Sequence, residues 1–130
     1  MPILYPGFIT LFAVILLMAL GFRVSQMRNR HHVDAPAMTG HPELERACRV
    51  HLNTVEQLVL FLPVLWLFAA LIDGLWAGII GLLWLAGRIV YIVSYTRNPA
   101  SRAPGMIVTT VATVLLTLGV AWGLILLVVI

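Results

Sequence analysis

Two short runs of the sequence place chemically active side chains at helical spacing. Arg46, Arg49, Asn53 and Glu56 follow one another at intervals of three, four and three residues. Arg88, Tyr91, Tyr95 and Asn98 repeat that spacing. At 100° per residue each set covers an arc of about 80°, one narrow face of a helix. Guanidinium groups grip carboxylates in a two-pronged fork, an amide both donates and accepts, and a carboxylate accepts from an ammonium. Together these residue types suit capture of an anionic, peptide-like guest. A plainer reading also stands, in which Glu56 and Arg88 form a structural ion pair that locks two helices. One pair uses two residues, whereas the stripes carry several donors and acceptors leading toward arginine-rich loops.

The elements that must hold these stripes are apolar to an unusual degree. Of 130 residues, 62% are hydrophobic and 10% charged. A soluble core of this size cannot absorb that much apolar surface, so the excess must face lipid. Residues 1–22 and 103–130 carry no charge and are each long enough to span a bilayer, which takes about 20 residues. Between them lie two shorter uncharged runs, 57–72 and 74–87, separated by Asp73. Each reaches span length only if Glu56 and Arg88 lie inside the membrane. The expected fold is an all-α membrane protein, one domain over residues 1–130, with spans near 3–24, 43–72, 75–96 and 103–129. Asp73-Gly74 reads as a tight turn between antiparallel helices. Pro42 with Glu43 and Glu45 reads as a helix start, proline in the first turn and acids near the positive dipole end. Pro99 and Pro104 punctuate the last connection. The first 22 residues lack a basic leader and read as a span, not as a cleaved signal.

Counted from the Asp73 turn, Glu56 lies about 25 Å and Arg88 about 22 Å along their helices at 1.5 Å per residue. Both depths fall within a hydrocarbon layer about 30 Å thick. All eight cations are arginines, against five acids. Arg23, Arg28 and Arg30 follow the first span, and Arg97 and Arg102 lie between the third and fourth. The positive-inside tendency puts both loops in the cytoplasm and both termini outside it. A net charge of +3, dispersed along the chain, excludes a nucleic-acid-binding surface. One cysteine, Cys48, excludes an intramolecular disulfide framework.

The stretch Glu45-Arg46-Ala47-Cys48-Arg49-Val50-His51-Leu52-Asn53-Thr54-Val55-Glu56 resembles the second-helix motif of the MAPEG family, the membrane-associated proteins of eicosanoid and glutathione metabolism. Gly87-Arg88-Ile89-Val90-Tyr91-Ile92-Val93-Ser94-Tyr95 is similar to the third-helix motif, and Arg102-Ala103-Pro104 to the loop that opens helix four. The resemblance covers essentially the whole chain. It implies a homotrimer of four-helix bundles that binds glutathione between subunits near the cytoplasmic side. By position, Arg49, Asn53, Glu56, Arg88, Tyr91 and Tyr95 match glutathione contacts, Arg28 aligns with a basic position at the end of helix one, and Arg102 matches the arginine that activates the thiol. The implied partners are glutathione as cosubstrate, a hydrophobic small-molecule or lipid electrophile, and membrane lipid. No metal is expected. The short, lysine-free chain is similar to bacterial members, which implies a multi-pass protein of the bacterial inner membrane.

Some positions depart from the pattern. Gln57 replaces the aromatic residue found after the motif glutamate in some members. Val59 stands where a proline is frequent, with Pro63 four positions on. Ala103 replaces the serine of prostaglandin E synthase. Two functional classes therefore remain, a glutathione transferase or peroxidase and a non-catalytic lipid-binding or scaffold protein of the same family. A small multidrug transporter would need an acid in the first span, which has none.

Among the other reactive side chains, His31, His32 and His41 lie in the first loop without a metal-ligand spacing and read as solvated. His51 lies off the main stripe. Cys48 reads as a small packing residue. Trp66, Trp76, Trp84 and Trp122 are expected to face lipid or its interface.

Overall fold

A computed structural model describes Met1 and residues 3–130. It contains four long helices: α1 (Leu4–His31), α2 (Pro42–Leu71), α3 (Gly74–Arg97) and α4 (Ala103–Val129), with a single 3-10 turn at Pro99–Ser101 before α4. All four are long and apolar enough to cross a membrane. With 28 residues in α1 and 30 in α2, these helices reach roughly 42 and 45 Å and outrun the hydrocarbon layer. The chain is an integral membrane protein of the all-α class.

The helix starts follow local chemistry. Pro42 occupies the first turn of α2, and the Glu43 N–H donates to Nδ1 of His41 at 3.2 Å. At the opposite end of the bundle, Asp73 caps α3 by accepting from the Trp76 N–H at 2.9 Å. That cap fills a donor the helix start leaves open, and it makes Asp73-Gly74 the turn its composition announces. α1 ends where His32 takes a left-handed conformation, φ 53°.

The α1–α2 loop closes on itself. His31 and His41 stack with ring centroids 3.4 Å apart and planes 9° from parallel. Glu43 lies 3.4 Å from Nε2 of His31 and 3.5 Å from Arg30. Potential ligand atoms of His31, His41 and Glu43 fall within 4.8 Å of one another, a juxtaposition hidden in the sequence by the intervening loop. Ring nitrogens bind metals in the ring plane, and two nearly parallel planes do not meet at a common ion. Nδ1 of His41 is also occupied by the α2 cap. The cluster is a latch that ties the ends of α1 and α2 together.

α2 and α3 pack against each other, and each contacts both α1 and α4, so the two stripe-bearing helices form the centre of the bundle. The main core joins Ile9 and Ala13 of α1, Phe61 and Leu65 of α2, Trp84 of α3 and Leu116 of α4. Trp84 is completely buried, its ring stacked on Phe61 at 4.2 Å and 7°. The expectation that all four tryptophans face lipid is therefore wrong for Trp84, which points inward from the buried seam of α3. Trp76 and Trp122 are exposed, and Trp66 reaches from α2 to donate to the Thr10 hydroxyl of α1 at 3.0 Å. Several threonine hydroxyls along the helices donate to carbonyls one turn back, as Thr54 does to Val50 at 2.8 Å, which satisfies them within their own helix.

Contact between α3 and α4 depends on glycine. A Cβ on Gly105 would lie 2.4 Å from the backbone nitrogen of Tyr91, and one on Gly87 would lie 2.7 Å from Val108. The bare backbone lets α4 settle directly on the α3 stripe.

Candidate functional site

That close approach sets Arg102, at the start of α4, beside the tyrosines of α3. A cavity of about 220 Å3 opens between α2, α3 and α4, lined by Arg49, Asn53, Tyr91, Tyr95, Arg102 and Met106. Its wall holds two guanidinium groups, one amide and two phenol rings, and no carboxylate. Arg49 and Arg102 are exposed at the mouth, Tyr95 is half-buried, and Asn53 and Tyr91 form the buried end. Charge and hydrogen-bond capacity favour an anionic guest that carries further polar groups.

Five of the eight residues proposed from sequence meet in this cavity; the other three lie elsewhere. Arg88 is fully buried, with its guanidinium carbon 4.0 Å from the Tyr91 ring centroid, so it sits behind a wall residue. None of its three guanidinium nitrogens has a hydrogen-bond partner, and neither does the buried Oδ1 of Asn53. Glu56 is exposed on the outside of the bundle. The Arg88–Glu56 ion pair is not formed: among the described residues, ion pairs involve only Glu43, with Arg30 and His31. Arg28, half-buried near the end of α1, donates to the carbonyl of Ala37 in the first loop.

The remaining stripe residues are structural. Arg46 braces α2 against α3 through a 3.3 Å hydrogen bond to the Thr96 carbonyl. Asn98 caps the 3-10 turn by accepting from Ala100 at 3.1 Å. His51 points toward Gly21 of α1. Cys48 is buried among Met27, Leu44 and Ala47 as a packing residue. Met106 is the wall residue the sequence did not flag. Its only signal is its position four residues after Arg102, which puts both on one face of α4.

An unpartnered buried guanidinium is costly. Desolvating a charge in a protein interior costs several kcal/mol, and a desolvated ring face returns about 2 kcal/mol. Arg88 and Asn53 thus leave unmet polar valences next to and inside the cavity, and the donor set fits a carboxylate-bearing peptide.

Four helices apolar enough to span a bilayer, three of them around a cationic cavity, define an integral membrane protein whose cavity chemistry suits an anion. The family model for MAPEG matches residues 6–122, and the chain belongs to the MAPEG family. It is 39% identical over 117 residues to an uncharacterised protein of Synechocystis, covering 90% of this chain and 85% of that one. It is also similar to human microsomal glutathione S-transferase 2, at 32% over 102 residues, 78% of this chain and 69% of the relative. Rat leukotriene C4 synthase is 32% identical over 116 residues, 89% and 77% of the two chains. These relatives place the chain in a family of glutathione-related membrane enzymes.

Proposed function

We propose that the protein is a glutathione-dependent membrane transferase or peroxidase acting on hydrophobic electrophiles or lipid hydroperoxides. The observation that carries this reading is the convergence of Arg49, Asn53, Tyr91, Tyr95 and Arg102 on one cavity without a carboxylate. Arg49 holds a glutathione carboxylate in a bidentate fork, and Asn53 donates to and accepts from the peptide groups. Tyr95 offers a hydroxyl at the half-open wall, and Tyr91 packs against the guest while its ring faces the Arg88 charge.

Arg102 supplies positive potential at the mouth. A free thiol has a pKa of about 8.5, and each unit by which a cation lowers it reflects about 1.36 kcal/mol of preferential thiolate stabilisation. Arg102 acts as this electrostatic partner, and the thiol proton leaves to water. In transfer, the sulfur forms a bond to an electrophilic carbon as the leaving group departs with its electron pair. In peroxide reduction, two glutathione thiols give up two electrons to the O–O bond, leaving glutathione disulfide, an alcohol and water.

A cavity of about 220 Å3 is smaller than the roughly 300 Å3 at which small-molecule sites begin. Glu56 is exposed on an otherwise apolar strip of α2 with Leu52, Val59 and Leu60, inside the span toward its cytoplasmic edge. A charge facing lipid is unfavourable, costing up to about 2.5–3.5 kcal/mol at the bilayer centre and less toward the edge. Both features support a homotrimer in which a neighbouring copy covers this strip, completes the cavity and supplies Arg28 and Glu56, the latter to the glutathione ammonium. The arginine-bearing loops face the cytoplasm of a bacterial inner membrane, following the charge bias.

Purified protein in detergent should gain about 1.4 kcal/mol of stability at glutathione concentrations ten times the dissociation constant, read as a raised thermal midpoint. Arg49→Ala should weaken binding by about tenfold or more, the worth of a charge-assisted hydrogen bond of about 1.5–3 kcal/mol. No stabilisation of wild-type protein at millimolar glutathione would leave only the non-catalytic, lipid-binding reading of the family.

A further inference from the structure

A second cavity, of about 290 Å3, lies between α1, α2 and α3, lined by Leu20, Arg23, Ala47, Val50, Ile92, Val93, Thr96 and Arg97. It shares no wall residue with the cavity around Arg102. Leu20, Val50, Ile92 and Val93 make an apolar floor, and Arg23 and Arg97 stand exposed at the rim. Neither arginine forms an ion pair among the described residues; Arg30 and His31 share the carboxylate of Glu43.

We propose that this cleft binds one anionic phospholipid, its phosphate held between Arg23 and Arg97 and an acyl chain laid along Leu20, Val50, Ile92 and Val93. Depth supports the assignment. Arg23 lies about 30 Å along α1 from its start and Arg97 about 35 Å along α3, at 1.5 Å per residue. Both distances match or just exceed the hydrocarbon thickness of about 30 Å, which sets the guanidinium groups at phosphate level. Leu20, Ile92 and Val93 lie about one helical turn deeper than the arginines on their own helices, where acyl chains begin. Basic pockets between transmembrane helices take anionic headgroups on this principle, and guanidinium suits phosphate because its fork matches two oxygens. A soluble anion would use the rim and leave the floor uncovered, whereas a zwitterionic lipid would bring a cation against two others.

The test uses full-length protein in detergent, titrated separately with phosphatidylglycerol, phosphatidylcholine and inorganic phosphate, followed by thermal midpoint and by native mass spectrometry for retained lipid. Phosphatidylglycerol should raise the midpoint and be retained at one molecule per chain; phosphatidylcholine and inorganic phosphate should do neither. The double variant Arg23→Gln/Arg97→Gln should weaken phosphatidylglycerol binding by about thirtyfold, the combined effect of two interfacial arginines. Arg30→Gln, which removes a nearby charge outside the cleft, should change it by less than about threefold. Val93→Trp fills the floor and keeps both arginines; it should also abolish retention, and it decides the matter if the double variant fails to fold. Equal response to both lipids, an equal response to inorganic phosphate, or undiminished retention by Val93→Trp or a folded double variant would overturn the proposal.

Discussion

At the residue scale, Arg88 separates a structural account of the polar stripes from a ligand-binding one. Its guanidinium is completely buried and unpartnered, facing only the ring of Tyr91. An ion pair serving stability would have used Glu56, which instead lies exposed on the outer side of α2. An unpartnered buried charge carries a desolvation cost of several kcal/mol, which an apolar side chain of similar volume does not incur. Arg88→Met should therefore leave the glutathione-free midpoint unchanged or raised while reducing glutathione affinity, measured by thermal shift across a glutathione titration. A large fall in the glutathione-free midpoint would instead mark Arg88 as a structural group. The sequence disclosed this side chain and its neighbours on the stripe, but a stripe about 80° wide still has two edges. Glu56 lies on an edge that turns out of the bundle and Arg88 on one that turns in. Periodicity along one helix cannot tell which edge meets a neighbour.

At the scale of elements, uncharged stretches, prolines and capping residues make the helices legible in the sequence. Pro42 starts α2 and Asp73 caps α3, both from local chemistry that acts within four residues. Trp84 shows where such reading stops. Tryptophan prefers membrane interfaces on average, but the inward seam of α3 and the flat face of Phe61 decide this one. The cavity was partly legible for the same reason: Arg49, Asn53, Tyr91 and Tyr95 come from two visible stripes, whereas Met106 joins them only because α4 docks at Gly105. Adding one methyl at Gly105 would press on the Tyr91 backbone, which has no flexible end to give way. Gly105→Ala should cost about 1–3 kcal/mol of stability and lower the activity of the folded fraction, because α4 carries Arg102 away from Tyr91. Thermal midpoint and specific activity together check this; an unchanged pair of values would mean that the α3–α4 contact does not position the site.

At the scale of the whole molecule, the chain presents apolar helix faces on which Glu56 stands exposed, and its cationic cavity holds about 220 Å3; the proposed trimer would cover that face and complete the site. Native mass spectrometry in mild detergent should find three copies, and Glu56→Arg should both dissociate them and weaken glutathione binding. A monomer that binds glutathione with undiminished affinity would contradict subunit sharing. The proposed trimer would leave only an indirect mark in the sequence, a carboxylate exposed on an apolar helix face, because surface complementarity between copies has no periodic signature.

On the proposed mechanism Arg102 turns a bound thiol into a thiolate, and the thiolate absorbance of the glutathione complex at neutral pH reports on that step. Wild-type protein should show the band, and Arg102→Ala should lose it while keeping glutathione affinity within about threefold, since a mouth charge acts on the ionised sulfur more than on the peptide. A full-strength thiolate band in a folded, glutathione-saturated Arg102→Ala variant would contradict it.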